Sequence, residues 1–226
     1  MKNNSRYGTM ILSVVVAVLL ISTVFGMYPR TNSEDTENLM IGDIPEIDKE
    51  THENYSTATF GVWCYWGPDA RLGVVEGVIR TRTGYQEVKG SIDDDDGSKM
   101  EAIRVDHDPE KVSYMELYDM VSETGQLKEY HPLADFLLAD RYHQSYQIGQ
   151  HEELSEYFEN IYPEFGEFIN STAAARINGY LMGYGELDSP EDLTSLGLTE
   201  KGRQEVYDIW GNSRTSSADM PMIRTD

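Results

Sequence analysis

Residues 59–71, Thr-Phe-Gly-Val-Trp-Cys-Tyr-Trp-Gly-Pro-Asp-Ala-Arg, constrain the fold more than any other stretch. Residues 58–63 are apolar and β-prone, so they read as the end of a strand. Gly67, Pro68 and Asp69 then open a helical pattern, since proline is tolerated in a first turn where its missing N–H would have no partner. Cys64, the single cysteine, stands at that junction between aromatic neighbours. A thiol there lies near the positive end of a helix dipole, which favours the thiolate. The other reading is a buried structural cysteine, because free cysteine is among the most buried residue types. The flanking rings alone do not decide between the two.

Regular patterns follow. Gly77 to Gly84 alternates apolar and basic residues and reads as a half-buried strand; Lys99 to Val105 reads as another. Ser113 with Glu116 three residues on forms a capping box, and Met115, Leu117, Tyr118 and Val121 give its helix an apolar side. Residues 132–139 read as a buried strand and Arg141 to Gln150 as a helix. Strand–helix–strand–strand–helix–strand predicts an α+β layer fold, one sheet covered by helices on one face. Beyond His151 the helical spacing of Leu154, Phe158 and Ile161 and the helix formers at 172–180 predict further helices. Leu193, Leu196, Leu198, Val206, Ile209 and Trp210 form a last apolar cluster.

The N-terminus sets the chain's organisation. Lys2 and Arg6 precede an apolar run from Thr9 to Met27, long enough to span a bilayer, with the charge bias that keeps the N-terminus cytoplasmic. Residues 1–30 read as a signal-anchor, or as a cleaved signal peptide, and 31–57 as an acidic linker. A core at 58–150, a helical extension at 151–212 and a disordered tail at 213–226 complete the expected layout. The folded part is expected outside the cytoplasm, held to the membrane by the first segment or secreted if that segment is cleaved. A formal net charge of −22 argues against nucleic acid as partner, since phosphate backbones bind through Lys/Arg clusters. Asp93 to Asp96 lacks the ligand spacing of a calcium loop and reads as a solvated turn. The five histidines show no zinc spacing, so no metal is expected.

Four stretches, in order, resemble one family. Cys64-Tyr65-Trp66-Gly67 is similar to the Gly-Cys-Phe-Trp-Gly signature of methionine sulfoxide reductase A, and Gly77 to Tyr85 to the strand that follows it there. Met100 to Val105 and Val112-Ser113-Tyr114 resemble the family's glutamate strand and the segment after it. Ala139 to Tyr146 resembles its Tyr-His-Gln-Gln-Tyr element. Trp63 stands where the family has glycine. Its Gly-Asn-Asp-x-Gly-x-Gln-Tyr-Arg segment has no counterpart between Val121 and His131, and C-terminal recycling cysteines are missing.

The resemblance implies a ferredoxin-like βαββαβ core and the reduction of methionine-(S)-S-oxide, peptide-bound or also free, repairing oxidised proteins. That chemistry needs a soft nucleophile, a proton donor for the oxygen and an apolar slot for the S-methyl group. The resemblance assigns Cys64 as nucleophile, passing through a sulfenic acid. It assigns Glu101 as the acid, Tyr65 and Trp66 as the ring walls, and Tyr85 as a hydroxyl facing the sulfoxide oxygen. Tyr85 could equally match a later Tyr-Arg-Glu-Val segment of the family. No bound cofactor is implied, and the reductant is an external thiol, thioredoxin-like or small. The partners are then oxidised proteins or peptides. The alternative is a reductase-like domain that has lost turnover and serves as a redox-sensing or interaction module.

Overall fold

The computed structural model describes residues 44–87, 99–128 and 135–218, with side chains as far as residue 214. The apolar run at 9–27, the acidic run Asp93 to Asp96 and residues 219–226 lie outside the described residues. Among those described, no helix is long and apolar enough to cross a membrane.

Strand β1 (Ser56–Gly61) leads into helix α1 (Trp66–Gly73), and β2 (Val78–Glu87) and β3 (Lys99–His107) follow. Helix α2 (Tyr114–Glu123) starts on the expected box: the Ser113 hydroxyl accepts from the Glu116 N–H while the Glu116 carboxylate accepts from the Ser113 N–H. The sheet order is β1-β3-β2-β4, every neighbour antiparallel. Alternation sends Ala58, Phe60, Ile103 and Val105 toward the helices, where they pack with Leu72, Leu117 and Val121.

The ferredoxin-like expectation holds for the first three strands and fails at the fourth. That topology would place the last strand beside β1. Here, among the described residues, the outer edge just past β1 carries a single bridge, Val62 with Leu127, shortly after α2. Of the strand expected over 132–139, residues 135–139 are described; they hold β4 (Leu137–Leu138), which pairs with β2 at the opposite edge and is exposed. An apolar run marks burial or an edge contact equally well, and its sequence does not record which edge it meets.

The helix expected over 141–150 is also broken. A 3-10 turn covers Arg141–His143 and helix α3 only Tyr146–Gly149. Between them Ser145 adopts a left-handed backbone, φ 46°, a conformation that costs an L-residue about 1 kcal/mol or more.

The C-terminal region is helical: α4 (Glu152–Ile161), α5 (Phe165–Phe168), α6 (Thr172–Leu181), a 3-10 segment Pro190–Leu196 and α7 (Glu200–Ala218). The boundary read at 212 falls inside α7. Leu154, Phe158, Ile177, Leu193 and Val206 form its core. This region joins the sheet layer through α6. A Cβ on Gly73 would stand 2.2 Å from the Ala175 carbonyl oxygen, and one on Gly179 2.3 Å from that of Ala70. Only glycine lets the two backbones approach so closely. The Arg176 guanidinium donates to the carbonyls of Gly73, Val75 and Val78, satisfying the C-terminal end of α1. Asp48, in a 3-10 turn at Glu46–Lys49, accepts from the N–H groups of Thr172 and Ala173 and from the hydroxyls of Tyr162 and Ser171. The end of the stretch read as a linker thus caps α6.

Candidate functional site

Cys64 is partly exposed in the short turn between β1 and α1. Both shoulders of that turn are pinned. The Val62 N–H donates to the Glu101 carbonyl at 2.9 Å and the Trp63 N–H to the Gln126 carbonyl at 2.9 Å. The short connection after α2 therefore meets the cysteine turn directly. Trp63 points outward, 61% exposed, with the Lys128 ammonium 3.7 Å from its ring centroid. An outward side chain is what lets tryptophan stand where the family has glycine.

Glu101 lies on the same side of the sheet. It pairs across the ladder with Tyr85, two residues from the inward-facing Ile103. Its carboxylate accepts from the Tyr65 N–H at 2.9 Å. The acid is thus hydrogen-bonded to the residue next to the cysteine, and sheet register and turn geometry hold it there together.

The expected ring residues converge here and recruit others. Tyr65 is buried; its hydroxyl meets that of Tyr85 at 3.1 Å. Burial, reinforced by the Tyr85 hydroxyl, pushes the Tyr65 phenol far above its ordinary value, so it stays a neutral donor. The Tyr65 ring is edge-on to Trp66, Tyr85 and His143 at 6.0–6.2 Å between centroids. Trp66 stacks on Tyr146, centroids 3.9 Å apart and planes 12° from parallel. Its indole N–H is buried without a hydrogen-bond partner. Tyr142, exposed, is edge-on to Tyr146.

The segment carrying these rings is docked by Gln144. Its amide accepts from the Thr83 N–H and donates to the carbonyls of Thr83 and Ala139, so one side chain stands in for a strand's ladder along β2. The left-handed turn at Ser145 lies directly before Tyr146. His143 Nδ1 meets the Asp140 carboxylate at 2.8 Å. Among the described residues, no group of three or more His, Cys, Asp or Glu is placed to hold a metal ion.

Sequence reading missed Tyr146, Asp69 and Asn178. Tyr146 lay in a quoted motif but received no role. Asp69 is fully buried on α1, and desolvation pushes its carboxyl up to about 6, against the opposing pull of Thr81 and Asn178. Asn178 donates from its amide to that carboxylate at 3.0 Å. No local pattern marks a contact spanning 109 residues.

A partly exposed cysteine thus stands next to a residue whose backbone N–H is held by a carboxylate, and known proteins carry sequences like the one around it. The family model for peptide methionine sulfoxide reductase matches residues 56–125, a span that runs from β1 through Cys64 and Glu101 to the turn after α2. A peptide methionine sulfoxide reductase of Drosophila melanogaster is 28% identical over 199 residues, covering 67% of this chain and 79% of that protein. The MsrA of Thermoactinomyces vulgaris is 36% identical over 69 residues, 28% of this chain and 56% of that one. That of Methanosarcina mazei is 32% identical over 96 residues, 40% and 41% respectively. The chain thus spans about half or less of those two microbial relatives. Over residues 56–125 the chain is similar to the peptide methionine sulfoxide reductase family.

Proposed function

We propose that the chain reduces peptide-bound methionine-(S)-S-oxide with Cys64 as nucleophile. The hydrogen bond from the Tyr65 N–H to Glu101 carries this reading, because it holds a carboxyl group beside the one thiol in the chain. The Cys64 thiolate attacks the sulfoxide sulfur while Glu101 supplies a proton to its oxygen. The oxygen passes to Cys64, so a thiol and a sulfoxide become a sulfenic acid and a thioether. Trp66 and its neighbours supply ring faces for the S-methyl group; such contacts are worth roughly 0.3–1.5 kcal/mol. Two equivalents of an external thiol then return Cys64 to its reduced form, releasing a disulfide and water. The 226 residues hold no second cysteine to do this internally.

Dithiothreitol-driven reduction of a methionine sulfoxide peptide, with mass spectrometry of Cys64, tests the scheme. A sulfenic acid should form in step with methionine, and Cys64→Ser should abolish turnover. Equal activity in that variant refutes the mechanism. Binding of the peptide without reduction would favour the non-catalytic module, a reading supported by the packing of Trp66 against Tyr146 and by the missing Asp/Tyr segment.

The apolar run at 9–27, preceded by Lys2 and Arg6, supports placing the enzyme on a membrane with its folded part outside the cytoplasm. Protease accessibility of the folded part in intact cells tests this; full protection refutes it.

A further inference from the structure

The C-terminal helix α6 reaches the site through one side chain. Asn178 is 1% exposed. Its amide nitrogen donates to the Asp69 carboxylate at 3.0 Å, and its amide oxygen accepts from the Gln147 N–H at 2.9 Å. Asp69 lies three residues after Trp66 on α1. Gln147 directly follows Tyr146. The two partners of Asn178 therefore belong to the two elements whose rings stack at 3.9 Å. We propose that Asn178 is a positioning residue: it ties the helix that follows Cys64 to the turn carrying Tyr146, and so holds Trp66 and Tyr146 face to face.

The chemistry of the tie is directional. Only a group that donates on one side and accepts on the other spans a carboxylate and a backbone N–H. The tie is buried, so Asn178 acts through the rings and does not meet the substrate itself. Its effect should fall on binding. The substrate-level consequence rests on the reductase reading above; the tie itself does not.

Asn178→Asp sets two carboxylates against each other where an amide and a carboxylate now meet. The exchange variant Asp69→Asn/Asn178→Asp restores every donor and acceptor. The amide then carried at position 69 would donate, and the carboxylate at position 178 would accept both from it and from the Gln147 N–H. Two readouts are needed on the full chain. One is KM and kcat for a methionine sulfoxide peptide with dithiothreitol at pH 8. The other is the near-ultraviolet circular dichroism of Trp66, taken as the difference from Trp66→Phe. Asn178→Asp should raise KM at least fivefold with kcat within twofold, and should remove at least half of the Trp66 band. The exchange variant should return both to within twofold of wild type. In a Tyr146→Leu background, Asn178→Asp should add less than twofold to KM, because a residue acting through Tyr146 has nothing left to position. Should Asn178→Asp not fold, Asn178→Ser, too short to reach both partners, takes its place with the same expectations.

Unchanged KM and an unchanged band in a folded single variant overturn the proposal. So does a folded exchange variant that keeps the single variant's defects, or full additivity with Tyr146→Leu. A wild type without turnover defeats the reductase reading alone; the dichroism of the single and exchange variants would still decide the tie.

Discussion

Asp69 makes a prediction whose size follows from its burial. Its carboxyl is held up at about 6, against an ordinary value of 3.8, chiefly by desolvation. Between those values the folded chain keeps a proton that the unfolded chain has released. Stability therefore falls as pH rises through that window, the reverse of the usual behaviour of an ion-paired carboxylate. About two pH units at roughly 1.4 kcal/mol each give a loss of about 3 kcal/mol by neutral pH, relative to a pH below both values. Asp69→Asn removes the titration while keeping an oxygen to accept from Asn178, and its new amide faces the Thr81 hydroxyl. Urea unfolding followed by circular dichroism, at constant ionic strength from pH 4 to 7.5, measures both proteins. Their stabilities should lie close at pH 4 and diverge steadily, the variant ending more stable by about 2–3 kcal/mol at pH 7.5. Other carboxylates contribute equally to both curves and cancel in the difference. A difference that stays constant across the range would refute the reasoning, because it would mean Asp69 titrates alike in both states.

Three further outcomes follow from the geometry. Glu101→Gln keeps an oxygen to accept from the Tyr65 N–H, so the fold should survive while kcat drops roughly a hundredfold to ten-thousandfold, the range for loss of a general acid; steady-state kinetics with a sulfoxide peptide checks this. Gly179→Ala drives a methyl group against the Ala70 carbonyl and should cost about 1–3 kcal/mol, read as a lowered midpoint of thermal unfolding. Asp48→Ala removes the acceptor of the Thr172 and Ala173 N–H groups while Ser171 still caps Ala174, and should cost about 1–2 kcal/mol, with hydrogen exchange speeding up first at Thr172 and Ala173.

What the chain disclosed in advance was its local chemistry. The Ser113–Glu116 box, the alternation in β2 and β3 and the strand-to-helix turn at Cys64 are each specified by residues within a few positions of one another. Those elements alone bring Cys64, Tyr65, Trp66, Tyr85 and Glu101 together, since register follows from alternation once the β2–β3 pair forms. The fourth strand was illegible for the opposite reason. Residues 137 and 138 are apolar, yet they pair at an exposed edge, and only the sheet decides which edge is free. Ser145 gives no warning of a left-handed turn, because serine is common in many conformations. The roles of Asn178 and Asp48 depend on partners 109 and 114–125 residues away, a separation across which a single sequence carries no signal.

Helix α6 explains why those distant contacts bear on the site. Its N-terminus is capped by Asp48, its middle lies on α1 through Gly73 and Gly179, and its Asn178 reaches both Asp69 and the Tyr146 turn. A rigid helix held at three places transmits displacement rather than absorbing it, since packed interiors have little free volume in which to relax. The C-terminal region is therefore bound to the cysteine's own helix by backbone contact, by the Arg176 hydrogen bonds and by a buried carboxylate. The cysteine turn is braced by Gln126 on one side and Glu101 on the other. From outside the sheet layer, the rings beside Cys64 are supported by the turn at 144–147, held by Gln144 against β2 and by Asn178 against α1.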